Sequence, residues 1–399
     1  MTTKASSLAA SQRTEDRGRL ICHRRNYELQ TIRFTVFSTE FLNPVDVLHI
    51  VGARPNFMKA APVMRALAEK HGIKQTLVHT GQHYDANMSA VFFEQLGIPA
   101  PDVNLEVGSG SHARQTADIM SRIESVLLER TPDLVLVYGD VNSTVAAALV
   151  CSKLLIRVGH VEAGLRSFDR SMPEEINRLL TDQIADLLFT PSAEADQNLG
   201  HEGIAESKIY RVGNVMIDSL IRLLPEAMKT NLDHLPDRYA LVTLHRPSNV
   251  DDEQTLRFIL DSLLEVNREL EVVFPVHPRT RRRMGDLGSH ASNLRLLGPL
   301  PYIEFLALQR RATLVITDSG GIQEETTFLG IPCLTVRENT ERPVTVTMGT
   351  NILVGQNRHK LGQELGQIIE GKWKRGRVPP LWDGHAGERI AEAVAGLNT

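Results

Sequence analysis

The residues best suited to chemistry sit in short polar motifs, each following an apolar run. Gly52 to Lys59 reads G-A-R-P-N-F-M-K. Glycine there permits close backbone approach, Arg54 offers a planar fork of donors, and Pro55 can start a helix that carries Lys59. Two cations at a helix amino terminus suit a diphosphate, although a tight turn with two solvated cations would read the same way. Asp318 to Glu325 reads D-S-G-G-I-Q-E-E. Ser319, Gly320 and Gly321 would form a turn whose backbone N–H groups, with the dipole of the following helix, meet a phosphate. Glu325 lies one turn further on, where its carboxylate can accept from ribose hydroxyls; an ordinary helix start capped by Asp318 is the alternative. Arg342, between Glu341 and Pro343, adds a further cation after a strand.

Acid groups fall on three more loops. Asp140 precedes Asn142, Ser143 and Thr144, where a helix cap and an acid/base role are equally compatible with the pattern. Glu162, in G-H-V-E-A-G-L-R, lies just past an apolar strand, so its carboxylate needs a partner or a shifted pKa. Glu174 opens a helix with Glu175 and Arg178, a place where acidic residues are ordinarily favourable. His245, with Arg246 behind it, and His277 end two strands further along. Carboxylates from separate loops, two cations and facing histidines suit proton transfer beside a departing diphosphate.

Positioning such loops requires repeated strand–helix units. From Val45, β-branched apolar runs alternate with amphipathic stretches, the signature of βαβ units feeding parallel sheets. Runs at Val45–Val51, Gln75–His79, Leu134–Tyr138, Arg157–Val161, Leu187–Thr190 and Ile209–Val212 predict one doubly wound domain over 45–212. Charge and two prolines, Pro225 and Pro236, suggest an interdomain linker over 213–238. Runs at Tyr239–Thr243, Val272–Val276, Leu294–Leu297, Thr313–Thr317, Pro332–Val336 and Asn351–Val354 predict a second domain over 239–399. The length of 399 residues also favours two domains, since one core rarely grows so large. Facing domains would place the carboxyl ends of both sheets, and so every motif above, at one cleft.

Composition narrows the classes. Hydrophobic residues at 42% and charged residues at 23% describe an ordinary globular chain. The formal net charge of −4 gives no case for nucleic acid or a membrane as partner. Cys22, Cys151 and Cys333 are too far apart for a zinc motif or a disulfide framework, which points to a reducing, cytoplasmic setting without a metal. Residues 1–44 lack both a signal-peptide core and clear periodicity, so a loosely ordered extension is expected.

The ordered string of motifs, G-A-R-P-N-F-M-K, T-G-Q-H, G-D-V-N-S-T, G-H-V-E-A-G-L-R, P-E-E-I-N-R, H-R, D-S-G-G-I-Q-E-E and T-E-R-P, resembles the non-hydrolysing UDP-N-acetylglucosamine 2-epimerase family. The resemblance covers 45–397 and implies a glycosyltransferase-B-like fold of two Rossmann-like domains. It implies anti elimination of UDP to 2-acetamidoglucal and re-addition on the other face, without cofactor, in a homodimer that supplies surface polysaccharide precursors. On matched motifs, Asp140, Glu162 and Glu174 are acid/base candidates, supported by Lys59. His245 joins Arg54, Ser319, Gly320, Gly321, Glu325 and Arg342 around UDP. Asn56, Pro247 and Ser248 depart from the family pattern beside the site. Gln82 and His83 match a region where some members bind a second UDP-N-acetylglucosamine, but Tyr84 and Asp85 depart from it. The alternatives are a related sugar such as a UDP-2,3-diacetamido uronic acid, a glycosyltransferase, a hydrolysing enzyme, or a passive sugar-nucleotide sensor.

Overall fold

The computed structural model describes residues 44–82, 93, 95–286 and 294–398. The expected extension, apart from Pro44, and His83 lie outside the described residues. The first sheet comprises β1 (Val45–Val51), β2 (Ile73–His79), β3 (Val103–Asn104), β4 (Leu134–Tyr138), β5 (Arg157–Val161), β6 (Leu187–Thr190) and β7 (Ile209–Arg211). Its order is β3-β2-β1-β4-β5-β6-β7 and all pairs are parallel. Such a sheet is covered on both faces, which is why L-V-L-V-Y of β4 is apolar throughout and wholly buried.

The second sheet comprises β8 (Tyr239–Thr243), β9 (Glu271–Pro275), β10 (Arg295–Leu297), β11 (Leu314–Thr317), β12 (Cys333–Thr335) and β13 (Asn351–Leu353). Its order, β10-β9-β8-β11-β12-β13, is again wholly parallel. In each sheet the chain order reverses between two neighbouring central strands, β1 and β4 in the first, β8 and β11 in the second. Loops leaving such a pair turn to opposite faces and open a crevice at the strand ends. Gly52–Lys59, Asp140, His245 and Ser319–Gly321 all follow those four strands.

Two segments differ from the sequence reading. The stretch expected as a linker contains the helix Val215–Ala227, which buries Ile217, Leu220 and Leu223. Asn214 caps it, its Oδ1 accepting from Met216 N–H at 2.9 Å. It packs on the helices Arg54–Ala68, Tyr302–Arg311 and Gly320–Leu329, so one apolar core runs from the first sheet to the second. Pro225 stands in its last turn and masks the periodicity. The chain end also departs: the helix Ala386–Ala395 leaves the second sheet and packs on Arg54–Ala68. Its inner face is Ala386, Gly387, Ile390, Ala391 and Val394, small enough for close approach. Asp218 on the Val215–Ala227 helix accepts from Ala386 N–H at 3.2 Å and Gly387 N–H at 2.7 Å. Burial pushes this carboxyl up to about 6, against those two bonds.

A side chain at Gly387 would put its Cβ 2.7 Å from the Pro62 carbonyl oxygen. Gly387→Val is therefore expected to cost about 1–3 kcal/mol by overpacking, read as a lower urea midpoint. An unchanged midpoint would show that the terminal helix is not fastened there.

Candidate active site

The centre of the site is Glu162, immediately after β5. Its φ of +75° is left-handed, a conformation costing about 1–3 kcal/mol for a residue other than glycine. Two neighbouring amides, Glu162 and Ala163 N–H, both donate to the Phe189 carbonyl at 3.0 Å and hold the turn. The carboxylate, 5% exposed, meets a cation from each domain. Lys59 Nζ donates to Oε1 at 2.7 Å, and Arg342 Nη2 reaches the same oxygen at 3.3 Å. Gly139, at φ +63°, makes room for the lysine, since a Cβ there would lie 2.5 Å from Nζ. The Gly139 carbonyl is fixed from behind by His160 Nε2 at 2.8 Å, whose Nδ1 pairs with the buried Asp182 at 2.6 Å.

Asp140 lies beside this pair. Its partner is Arg178, which also binds Glu175 Oε2 through Nη2 at 2.6 Å. Burial pushes the Asp140 carboxyl up, but Arg178, Lys59 and Arg342 outweigh it and hold the group below its ordinary range. Asp140 is thus an ionised acceptor at neutral pH. Glu175, expected only as a favourable helix-start charge, is a brace: Ser167 and Phe168 N–H groups donate to it at 2.9 Å. Glu174, its neighbour, is half-buried and acts electrostatically on Arg246 of the second domain.

Across the cleft, Asp318 is a hub rather than a cap. Ser319 is the N-cap residue of Gly320–Leu329, while the buried Asp318 carboxylate accepts from Arg246 N–H and Asn249 Nδ2, each at 3.0 Å. His245 Nδ1 lies 2.9 Å from its Oδ1, which assigns the proton to Nδ1 and leaves Nε2 on the outer edge of a ring that is 61% exposed. Burial raises Asp318, yet His245, Asn249 and Arg246 together keep it lowered and charged. Gly320 is needed for a different neighbour than expected, because a Cβ there would fall 2.3 Å from Arg342 Nη1. Gly320 and Gly321 open the helix, Gly320 beside Arg342 and Gly321 beside Met216. Glu325 accepts from Tyr302 O–H at 2.8 Å and feels Arg54 across the junction; burial raises it to about 7.

Other expected residues have mainly structural duties. Gln82 Oε1 accepts from Ser143 Oγ at 2.8 Å, and its side chain is buried. Asn56 stitches the first loop, accepting from Gly52 and Ala53 N–H at 3.0 Å and donating to the Tyr138 carbonyl at 2.7 Å. His277 follows β9 and is exposed. Among the described residues no group of three or more His, Cys, Asp or Glu is arranged to hold a metal ion.

A sequence profile described as UDP-N-acetylglucosamine 2-epimerase matches residues 65–395. The chain belongs to this family. It is 45% identical over 361 residues to the UDP-N-acetylglucosamine 2-epimerase of Methanocaldococcus jannaschii, covering 86% of this chain and 97% of that one. A crystal structure of the Methanocaldococcus jannaschii UDP-GlcNAc 2-epimerase with UDP-GlcNAc and UDP superposes with a TM-score of 0.81 at 43% identity, covering 88% and 100%. The UDP-2,3-diacetamido-2,3-dideoxy-D-glucuronate 2-epimerase of Pseudomonas aeruginosa is also 45% identical, over 354 residues, 88% of this chain and 99% of its own. The glycosyltransferase-B-like fold is shared more widely: a lipopolysaccharide outer core galactosyltransferase superposes with a TM-score of 0.52 at 13% identity.

Sequence reading missed Glu324, Asp318 as a hub, and Tyr302. Glu324 was within sight, beside Glu325, but successive helical residues point about 100° apart. Glu324 therefore meets Arg342, with 2.9 Å between Oε1 and Nε, while Glu325 turns to Tyr302.

Gly139→Ala should displace Lys59 from Glu162 and add about 1–2 kcal/mol of left-handed strain. Lys59→Met removes the group being displaced, so the double variant should lose less stability than the sum of the singles. Additive losses in denaturant unfolding would rule out this crowding.

Proposed function

We propose that the protein is an isomerase that interconverts UDP-N-acetylglucosamine and UDP-N-acetylmannosamine. UDP leaves by anti elimination to give an enzyme-held 2-acetamidoglucal and returns after protonation of C2 from the opposite face. The observation that carries this reading is the pairing of Glu162 with Lys59 of one domain and Arg342 of the other. It puts a buried carboxylate, fit to exchange a proton, beside the cations and helix start that suit a diphosphate. Asp140, charged and electrostatically coupled to Lys59 and Arg342, supplies a second acid/base position, and Glu174 a third on the Arg246 side. Isotope exchange in variants of the three assigns their individual roles. Arg54, Ser319, Gly320, Gly321, Glu325 and Arg342 form the UDP set, with His245 toward the leaving group.

A second substrate, a UDP-2,3-diacetamido uronic acid, is favoured by one specific observation besides the Pseudomonas relative. Arg246 reaches from β8 toward the first domain, its Nη1 3.7 Å from Met172 Sδ, and offers a cation for a sugar carboxylate. Turnover of both sugars side by side decides between them.

A cytoplasmic homodimer that feeds surface polysaccharide synthesis fits this chemistry. No helix among the described residues is long and apolar enough to cross a membrane. Support for self-association comes from Leu128 and Leu180, 61% and 47% exposed on two helices of the first domain, and from Leu155, 92% exposed just past the end of the helix between them, Asn142–Leu154. Leu155→Glu should shift sedimentation from dimer to monomer; a monomeric wild type would dispose of the dimer.

Epimerisation through a glycal must break the C2–H bond, whereas glycosyl transfer and simple hydrolysis need not. In heavy water both recovered UDP-sugar epimers should acquire deuterium at C2, followed by proton NMR. Asp140→Asn, Glu162→Gln and Glu174→Gln remove proton-accepting capacity at similar size, and at least one should lower exchange by about 100-fold or more while UDP still binds. Epimer formed with its C2 hydrogen fully retained would refute the mechanism and the three assignments together.

A further inference from the structure

Arg342 stands among three carboxylates from different elements. Nη2 lies 3.3 Å from Glu162, Nε 2.9 Å from Glu324 and Nη1 2.5 Å from Glu341. Two of these have another cation: Glu162 holds Lys59 at 2.7 Å, and Glu341 holds Arg337 at 2.7 Å and Arg246 at 3.6 Å. Glu324 makes no other ion pair among the described residues, and its Oε2 is buried without a hydrogen-bond partner there. Even the contact with Arg342 Nε lacks hydrogen-bond alignment.

We propose that Glu324 takes up a proton when a nucleoside diphosphate binds. The guanidinium of Arg342 turns toward the diphosphate, and Glu324, left without the one ion-pair partner it has among the described residues, accepts a proton from solvent to become a neutral carboxylic acid. The proposal rests on the reading of this cleft as a UDP site. A buried carboxylate that loses its cation must be re-paired or neutralised, and neutralisation is the cheaper course in a low-dielectric setting. The net step is one carboxylate plus one proton from buffer, with no other bond made or broken.

The surroundings of Glu324 agree. Burial raises this carboxyl, Arg342 opposes that, Glu162 raises it further and Lys59 lowers it, so it stands above the ordinary carboxylate range before any ligand arrives. The Val215–Ala227 helix packs on the same helix, and its Asp218 faces the Ala386 and Gly387 amides instead. Glu325 faces Tyr302. The negative charges of the added diphosphate push Glu324 higher. The bound form therefore holds more protons than the free form above neutrality, so affinity for UDP is greatest at low pH and falls as pH rises through the bound value. For one proton the decline approaches about tenfold per pH unit.

Titration calorimetry of the full protein with UDP at about pH 8, in two buffers of different ionisation heat, counts the protons taken up. The wild type should take up a proton count approaching one, and Glu324→Gln should bind UDP with uptake near zero. Equal uptake in both would move the acceptor elsewhere and overturn the assignment to Glu324, and absent uptake in the wild type would end the proposal. Should the variant fail to fold, the infrared difference spectrum of the wild type replaces it: a protonated-carboxyl band must appear on UDP binding, and its absence overturns the idea. Failure of the wild type to bind UDP at all is a distinct result that removes the UDP reading as well.

Discussion

A buried carboxylate held by one cation from each domain is the constraint from which the rest of the site follows. Glu162 is almost without solvent, so its charge survives only because Lys59 and Arg342 converge on one oxygen. An unpaired ion in such a place would cost several kcal/mol. The pair therefore requires the two sheets to stand with their carboxyl edges facing. It also requires the left-handed turn at Glu162 and the glycine at 139 that leaves room for the ammonium.

The polar braces around this centre share one design. Asp182 with His160 and Arg166, Glu175 with Arg178 and Ser167, and Asp318 with His245, Arg246 and Asn249 are all buried acids saturated by donors. Each holds a loop rather than facing the cleft. Saturation keeps these acids charged and their loops in place, the requirement for groups that must be preorganised before a substrate arrives. Glu324 and Glu325 differ in the second domain: both are equally buried, yet among the described residues Glu324 is ion-paired only with Arg342 and Glu325 accepts from Tyr302. A loosely compensated charge beside a tightly compensated one is where a ligand's own charge has most effect.

Much of the architecture was legible in the chain because parallel strands buried on both faces must be apolar throughout. The twelve strands expected from apolar runs are all present, most with ends within a residue or two. β3 escaped notice, being two residues long at a sheet edge, where too little is buried to leave a pattern. The helix Val215–Ala227 was hidden by its proline and charges, although its buried face joins the two halves. The return of Ala386–Ala395 to the first domain had no local signal, since an alanine-rich face fits many partners.

For the site, local sequence determined which residue types stand on the loops and helix starts that follow the strands: Lys59, Asp140, Glu162, His245, Gly320 and Arg342 are on the segments where the motifs put them. Loop chemistry is local, because a glycine, a cap or a cation after a strand acts within a few residues. The partnerships were decided only by tertiary structure. That Arg342 meets Glu162, separated by 180 positions, or that Asp318 clasps the loop of His245 instead of capping its own helix, depends on how two sheets face each other. No periodicity within either segment encodes that geometry, because charge pairing falls off over ångströms in space and not along the chain.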